Sequence, residues 1–227
     1  MLDHQRISET LVELADTLVL GFDGIDFLHT PTERCVQLLG VDAAGILLID
    51  QWGTLSLVAA STEQTRLLEL FQLQNEQGPC LDCYHSGQGV ACADLTATPQ
   101  QWPRFAAVAR EQGFAAVQAV PMKLREQILG ALNLFRCTPD AIPAEATAVA
   151  QSFANVATIS ILQLRALWHS VTDQVIELRV AMGGPRRGQR GCRRSVCRVW
   201  RWWRGSCVSR RTAGLRRECA GNRTLSA

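Results

Sequence analysis

Ile7, Leu11, Leu14 and Leu18 recur at steps of four and three with acids and hydroxyls between them, which predicts an amphipathic helix with one buried stripe. The turn from Gly21 to Gly24 ends it. DFLHTPTERCVQLLG predicts a second helix that starts near Thr30-Pro31, proline being tolerated in a first turn, and stops at Gly40. AAGILLID and TLSLVAAS are apolar runs of strand length around Gln51-Trp52-Gly53, the pattern of a hairpin. EQTRLLELFQLQ reads as a helix. After it, NEQGPCLDCYHSGQGVACADL reads as a loop with turns at Gly78-Pro79 and Gly87 to Gly89, leading into a short strand. TPQQWPRFAAVAREQG predicts a short helix located by Pro103 and closed by Gly113. Strands AAVQAVPM and QILGALNLFR follow, joined by the charged turn Lys123 to Glu126, and a long helix begins around Pro143.

Strands joined by hairpins pair antiparallel, so the expected class is α+β, with helices flanking a single antiparallel sheet. No internal repeat with a period of roughly 20 to 50 residues is visible. In the last helix Leu164, Trp168, Val171, Val175, Leu178 and Met182 alternate steps of four and three, the heptad seam of a coiled coil. The stripe outlasts the sheet that could cover it. A homodimer seam is therefore expected, the alternative being that these residues cap the domain's own core.

Composition adds a division that periodicity misses. The chain is 47% hydrophobic and 19% charged over 227 residues, ordinary for a soluble globular protein. Residues 1–178 carry 9 Lys/Arg against 20 Asp/Glu, a net of −11, whereas residues 179–227 carry 14 Arg against Glu218, a net of +13. The expected organisation is a folded domain over 1–163, a coiled-coil helix over 164–182 and an Arg-rich tail over 183–227. With few aliphatic residues to bury, that tail is expected to be disordered. The first residues lack the basic start and apolar stretch of a secretory signal, and no run approaches the ~18 to 20 apolar residues of a membrane span. A cytoplasmic location is expected, where the nine cysteines stay reduced or serve as ligands.

Three chemistries compete for Cys80-x-x-Cys83-x-His85 with Cys92. These are ligand types that zinc takes, but structural zinc sites draw ligand pairs from two turns and Cys92 falls in a strand, so no metal is assigned. Thiol redox chemistry is the second, since Cys-x-x-Cys thiols can have lowered pKa values. The preferred reading is structural, with Cys80 packed as a small apolar side chain. Trp102 and Phe105 either wall a ligand pocket or anchor their helix to the core. Asp94 caps a turn or orients a ligand's polar group, the cap being favoured. The candidate ligand-binding residues are Cys80, Cys92, Asp94, Trp102 and Phe105. No Ser-His-Asp order, phosphate-binding glycine loop or paired acids emerge, so no enzyme activity is expected and no cofactor is identified.

The order of elements and the motifs Gly-Pro-Cys at 78–80, Val-x-x-x-Asp-Leu at 90–95, Trp-Pro-x-Phe at 102–105, Gly-Phe at 113–114, Val-Pro at 120–121 and Leu-Gly-Ala-Leu-Asn-Leu at 129–134 closely resemble the GAF domain of actinobacterial GAF–ANTAR regulators. The resemblance covers roughly residues 9–178. It implies a pocket for a small-molecule ligand on one face of an antiparallel sheet, feeding a signalling helix. In that family the helix continues into a domain that binds paired RNA hairpins and prevents transcription termination. Gln77 stands where the family usually has Glu, and Cys83 and Cys92 where it is commonly noncysteine.

Beyond Met182 the resemblance stops. The helical Arg-x-Val-Ile-Glu-Gln-Ala-Lys-Gly motif is replaced by GGPRRGQRGCRRSVCRVWRWWRGSCVSRRTAGLRRECAGNRTLSA, rich in Arg and without Lys, as a GC-rich gene yields in a shifted frame. RNA binding by the family's route is accordingly not expected of this chain. Two alternatives accompany the sensory reading. One is a thiol oxidoreductase resembling the GAF free-methionine-sulfoxide reductases. The other is nonspecific, salt-dependent nucleic-acid binding through the Arg and Trp residues of RVWRWWRG.

Overall fold

The computed structural model describes residues 2–16, 26–50, 53–97 and 100–181. All of them lie in one of the two units into which the chain divides, the one formed by Met1–Phe22 and Asp26–Arg186. Helix α1 (His4–Asp16) is followed by a 3-10 turn at Asp26–Leu28 that runs into α2 (His29–Leu39). Then come strands β1 (Ala43–Ile49) and β2 (Leu55–Ala60), helices α3 (Glu63–Asn75) and α4 (Pro79–Ser86), and the short strand β3 (Val90–Cys92). Helix α5 (Pro103–Glu111), strands β4 (Ala116–Leu124) and β5 (Gln127–Arg136) and helix α6 (Ala144–Ala181) complete the order.

The five strands form one antiparallel sheet in the order β2-β1-β5-β4-β3. The α+β class with a helix-flanked antiparallel sheet is as expected, and both hairpins are present. In the second, β4 runs on to Leu124 and Arg125 turns the chain at a φ of 54°. Because side chains alternate along a strand, the sheet presents two apolar faces, each needing cover. Ala146, Ala150, Phe153, Ala154, Ala157 and Ile161 form the buried stripe with which α6 packs on the sheet, and α1 and α2 pack beside it. Helices α3 and α4 also pack on the sheet, and α5 shares an apolar cluster with Leu68 of α3.

Local chemistry explains most boundaries. Gly40 ends α2 in the left-handed region, φ 66°, where a side chain would be strained. Helix α1 buries Ile7, Thr10 and Leu14, while Leu11 is half-buried. Leu18 and the Gly21 to Gly24 turn lie outside the described residues.

The loop expected around Cys80 is instead helix α4. Pro79 occupies its first turn, where a missing N–H costs nothing, with Asp82 in the same turn and His85 in the last. Gly87 closes it at φ 65° by returning its N–H to the Cys83 carbonyl. The glycines that suggested two separate turns are the start and stop of one short helix.

Helix α6 is continuous from Ala144 to Ala181 and crosses the expected boundary at 163/164 without a break. Leu164 is half-buried. The seam expected through Trp168, Val171, Val175, Leu178 and Met182 lies outside the described side chains, and the tail 183–227 lies outside the described residues. Among the described residues no helix is long and apolar enough to cross a membrane.

Candidate functional site

Helix α3 starts at Thr62, whose hydroxyl accepts from the Thr65 N–H. Its buried residues are Thr65, Leu68, Glu69 and Gln72, an i, i+3, i+4, i+7 stripe in which three of four side chains are polar. That stripe lies over a row of the sheet where Gly45 of β1 pairs Asn133 of β5, and Asn133 pairs Ala119 of β4. The small residues on either side of Asn133 leave room for the carboxyl. A Cβ on Gly45 would stand 2.6 Å from Glu69 Oε1.

The result is a closed polar nest. Asn133 Nδ2 donates to Glu69 Oε1 at 2.7 Å, and Gln72 Nε2 donates to Glu69 Oε2. Gln72 Oε1 in turn accepts the Cys80 N–H at 3.3 Å, which ties α4 to α3. Glu69, Gln72 and Asn133 are fully buried. Asn133 Oδ1 is buried with no hydrogen-bond partner. An ionised carboxylate is costly to bury, and burial pushes Glu69 up from an ordinary 4.5 to about 8, against the opposing pull of the Asn133 and Gln72 hydrogen bonds.

Cys80 and Cys83 are fully buried beside Leu47, Ala119 and Ala131. Burial, and then the charges of Glu69 and Cys83, raise the Cys80 thiol well above its usual range, while an Asn133 hydrogen bond opposes this. Burial pushes Cys83 up to about 12 against the pull of Lys123. His85 is exposed. Among the described residues no group of three or more His, Cys, Asp or Glu side chains is placed to hold a metal ion.

The five candidate residues do not converge. Cys92, Trp102 and Phe105 share one apolar cluster with Leu68, Leu95, Phe114 and Phe135, whereas Cys80 belongs to the other beside the polar nest. Trp102 and Phe105 meet edge to face, ring centroids 6.2 Å apart, and Trp102 Nε1 donates to Asp82 of α4 at 2.7 Å. Asp94 Oδ1 accepts from the Thr96 N–H and hydroxyl at 2.7 and 2.6 Å, the turn geometry favoured for it. Those hydrogen bonds hold its carboxyl below the usual carboxylate range.

Gln77 performs a task that its position as a variant residue did not reveal. Its Oε1 accepts from the Arg104 N–H at 2.8 Å and from the Phe105 N–H at 3.4 Å, satisfying the start of α5 from across the loop. A carboxylate there would also meet the positive end of the helix dipole. Gln77→Glu is expected to stabilise the domain by about 0.3 to 1 kcal/mol at neutral pH. Urea unfolding is the check, and the gain should shrink in high salt.

A family model described as GAF domain matches residues 23–161. Among solved structures, the GAF domain of an Acinetobacter phosphoenolpyruvate-protein phosphotransferase superposes with a TM-score of 0.56 at 13% identity, covering 73% of this chain and 97% of that one. A methyl-accepting chemotaxis protein matches with a TM-score of 0.54 at 18% identity, over 68% and 98%. The GAF domain/HD domain protein from Geobacter sulfurreducens matches with a TM-score of 0.52 at 17% identity, over 69% and 98%. At these identities the likeness is one of fold. No curated protein matches the chain.

Proposed function

The chain belongs to the GAF domain family, a family of small-molecule sensory domains, and on that premise we propose that it is the sensor of a transcription regulator of the GAF–ANTAR type, acting without bond-making chemistry. The observation that carries the reading is the polar nest of Glu69, Gln72, Asn133 and Cys80, buried under α3 and α4 with an acceptor left unspent. Buried polar groups without partners are rare in folded proteins, and a ligand pocket is one place where they persist.

A route to output is built into the same sheet. Arg165 of α6 donates to the Ile49 carbonyl at the end of β1 at 2.6 Å, and Gln151 of α6 donates to the Pro121 carbonyl of β4 at 2.8 Å. A ligand that reshapes β1 and β5 from the nest thereby shifts α6, and with it a homodimeric seam from Leu164 to Met182. Cys92, Trp102 and Phe105 serve as the pocket's fixed wall, and the protein works in the cytoplasm. Residues 183–227 lack the family's RNA-binding motif, so antitermination is the ancestral output and RNA binding is lost in this chain. The thiol alternative is disfavoured because burial raises Cys80 and Cys83, opposite to what a reactive thiolate needs.

The test is a thermal-shift screen of the full chain against cellular metabolites, repeated on a variant with Cys80, Cys83 and Cys92 all replaced by Ser. A specific binder is expected to raise Tm by several degrees near 100 Kd, where linkage supplies about 2.7 kcal/mol, in both proteins. Absence of any binder, together with sulfoxide turnover that the serine variant loses, overturns the proposal. Reading the gene in its other frames beyond codon 182 should restore the Arg-x-Val-Ile-Glu-Gln helix.

A further inference from the structure

Helix α6 carries one apolar stripe, not two. From Ala150 the steps of four and three run through Ala154, Ala157 and Ile161 into Leu164 and on to Leu178 without a slip. The first four of these residues are buried and belong to the stripe with which α6 packs on the sheet. The helix is continuous across the join, so the expected seam prolongs its sheet-facing side and not its outer side. An ideal helix drifts about 20° per heptad against such a repeat, which over the stretch from 150 to 178 keeps the stripe within about a quarter turn of that direction. Two hydrogen bonds pin the rotation of the helix on the domain, Gln151 on the Pro121 carbonyl at 2.8 Å and Arg165 on the Ile49 carbonyl at 2.6 Å.

That orientation decides how a second copy can be seated. In a parallel pair each residue faces its own counterpart, so a rod meeting residues 164–178 would also run beside residues 150–161, at the roughly 8 to 10 Å of packed helices. The sheet already fills that side. A reversed rod meets the half beyond the buried stripe and leaves away from the sheet.

We propose that α6 pairs in antiparallel orientation with α6 of a second copy, through residues 164–182 and centred on Asp173. The inference rests on the reading of this seam as a homodimer interface and adds its polarity and register. The spacing of the seam is palindromic and so matches itself when reversed. Leu164 meets the partner's Met182, Trp168 the partner's Leu178 and Val171 the partner's Val175, each pair occurring twice about the two-fold axis. Each rod then ends beside the Arg165–Ile49 link of the other protomer, and a shift of α6 in one bears on the domain of the other.

The experiment measures dimer affinity of the full chain by analytical ultracentrifugation. Val171→Glu and Val175→Lys are each expected to weaken the dimer about tenfold or more, and the two together to restore it, because the antiparallel register sets opposite charges against each other. In a parallel pair like charges would meet at both positions. Circular dichroism verifies the fold of each variant. Nitroxides attached through p-acetylphenylalanine, which leaves the nine cysteines untouched, replace exposed Gln163 or Asp173 and are read by pulsed dipolar spectroscopy. At ~1.5 Å of rise per residue, two labels at 163 should stand about 30 Å apart along the rods and two at 173 roughly level. A double variant weaker than either single one, with equal label separations at the two positions, overturns the inference and leaves the homodimer standing. A monomer, or a dimer indifferent to these substitutions, overturns the seam as well.

Discussion

Replacing Gly130 by alanine should cost the domain about 3 kcal/mol or more, a large part of the ~5 to 15 kcal/mol that holds a protein of this kind folded. Gly130 sits in the central strand β5, opposite Leu48 of β1 and Met122 of β4. A Cβ there would run into the Leu47 carbonyl oxygen and stand 2.9 Å from the Leu48 Cα. Both obstacles are backbone, held in the β1–β5 ladder, so neither can swing away as a flexible side chain would. Relief requires the two middle strands to part, which loosens both faces at once. Gly53→Ala is the matched control: a Cβ there meets nothing within 4 Å, and only the left-handed φ of 78° opposes it. That control should lose about 1 kcal/mol. Equal urea midpoints for the two variants would mean that the close approach at Gly130 carries no structural weight.

The strands were readable because two-residue alternation and hairpin composition are local signals, and β1, β2, β4 and β5 fall where those signals put them. Helix α4 was not. Eight residues span barely two turns, too few for a hydrophobic period to declare itself, and the Gly and Pro residues at its ends serve turns and helix caps alike. The contacts that commit the segment to a helix come from elsewhere in the chain, chiefly Gln72 on the Cys80 N–H and Trp102 on Asp82.

The polar nest was harder still, because pattern reading assigns apolar residues to the interior. In α3 the apolar set of Leu67, Leu70, Phe71 and Leu73 would draw the eye, yet Leu67 is 46% exposed while Glu69 and Gln72 are fully buried. Nothing within the helix specifies that rotation. The amide of Asn133 and the bare backbone of Gly45 accept the carboxyl, and both lie across the sheet. One signal was present: Asn133 interrupts an otherwise apolar strand, QILGALNLFR, and a polar residue in the middle of a central strand asks for a partner. Of the candidates singled out by residue type, Cys80 borders the nest. Cys92, Trp102 and Phe105 lie together in the neighbouring apolar cluster with Leu68, Leu95, Phe114 and Phe135.

Glu69→Gln should alter how stability depends on pH more than any other single substitution in the nest. The folded pKa of Glu69 is raised to about 8 from an ordinary 4.5, with burial the leading cause. Below the lower value the group is neutral in both states and carries no penalty. Between the two values the unfolded chain ionises while the folded chain holds its proton, so folding loses stability as pH rises, and the loss levels off above the folded pKa. The displacement corresponds to a loss on the order of 5 kcal/mol across that window. Asp94, its carboxyl held below the usual carboxylate range, titrates below this window, and every group other than Glu69 is common to both proteins and cancels in the difference. The two proteins should therefore be similar in stability near pH 4.5, with Glu69→Gln progressively the more stable as the pH is raised to 8. Urea unfolding across this range decides it: parallel curves would mean that the carboxyl is not confined as the geometry requires. A widening gap would show that the domain maintains its carboxyl at a standing cost, one that a protein folding for stability alone would shed by this single atom exchange and that a binding site has reason to keep.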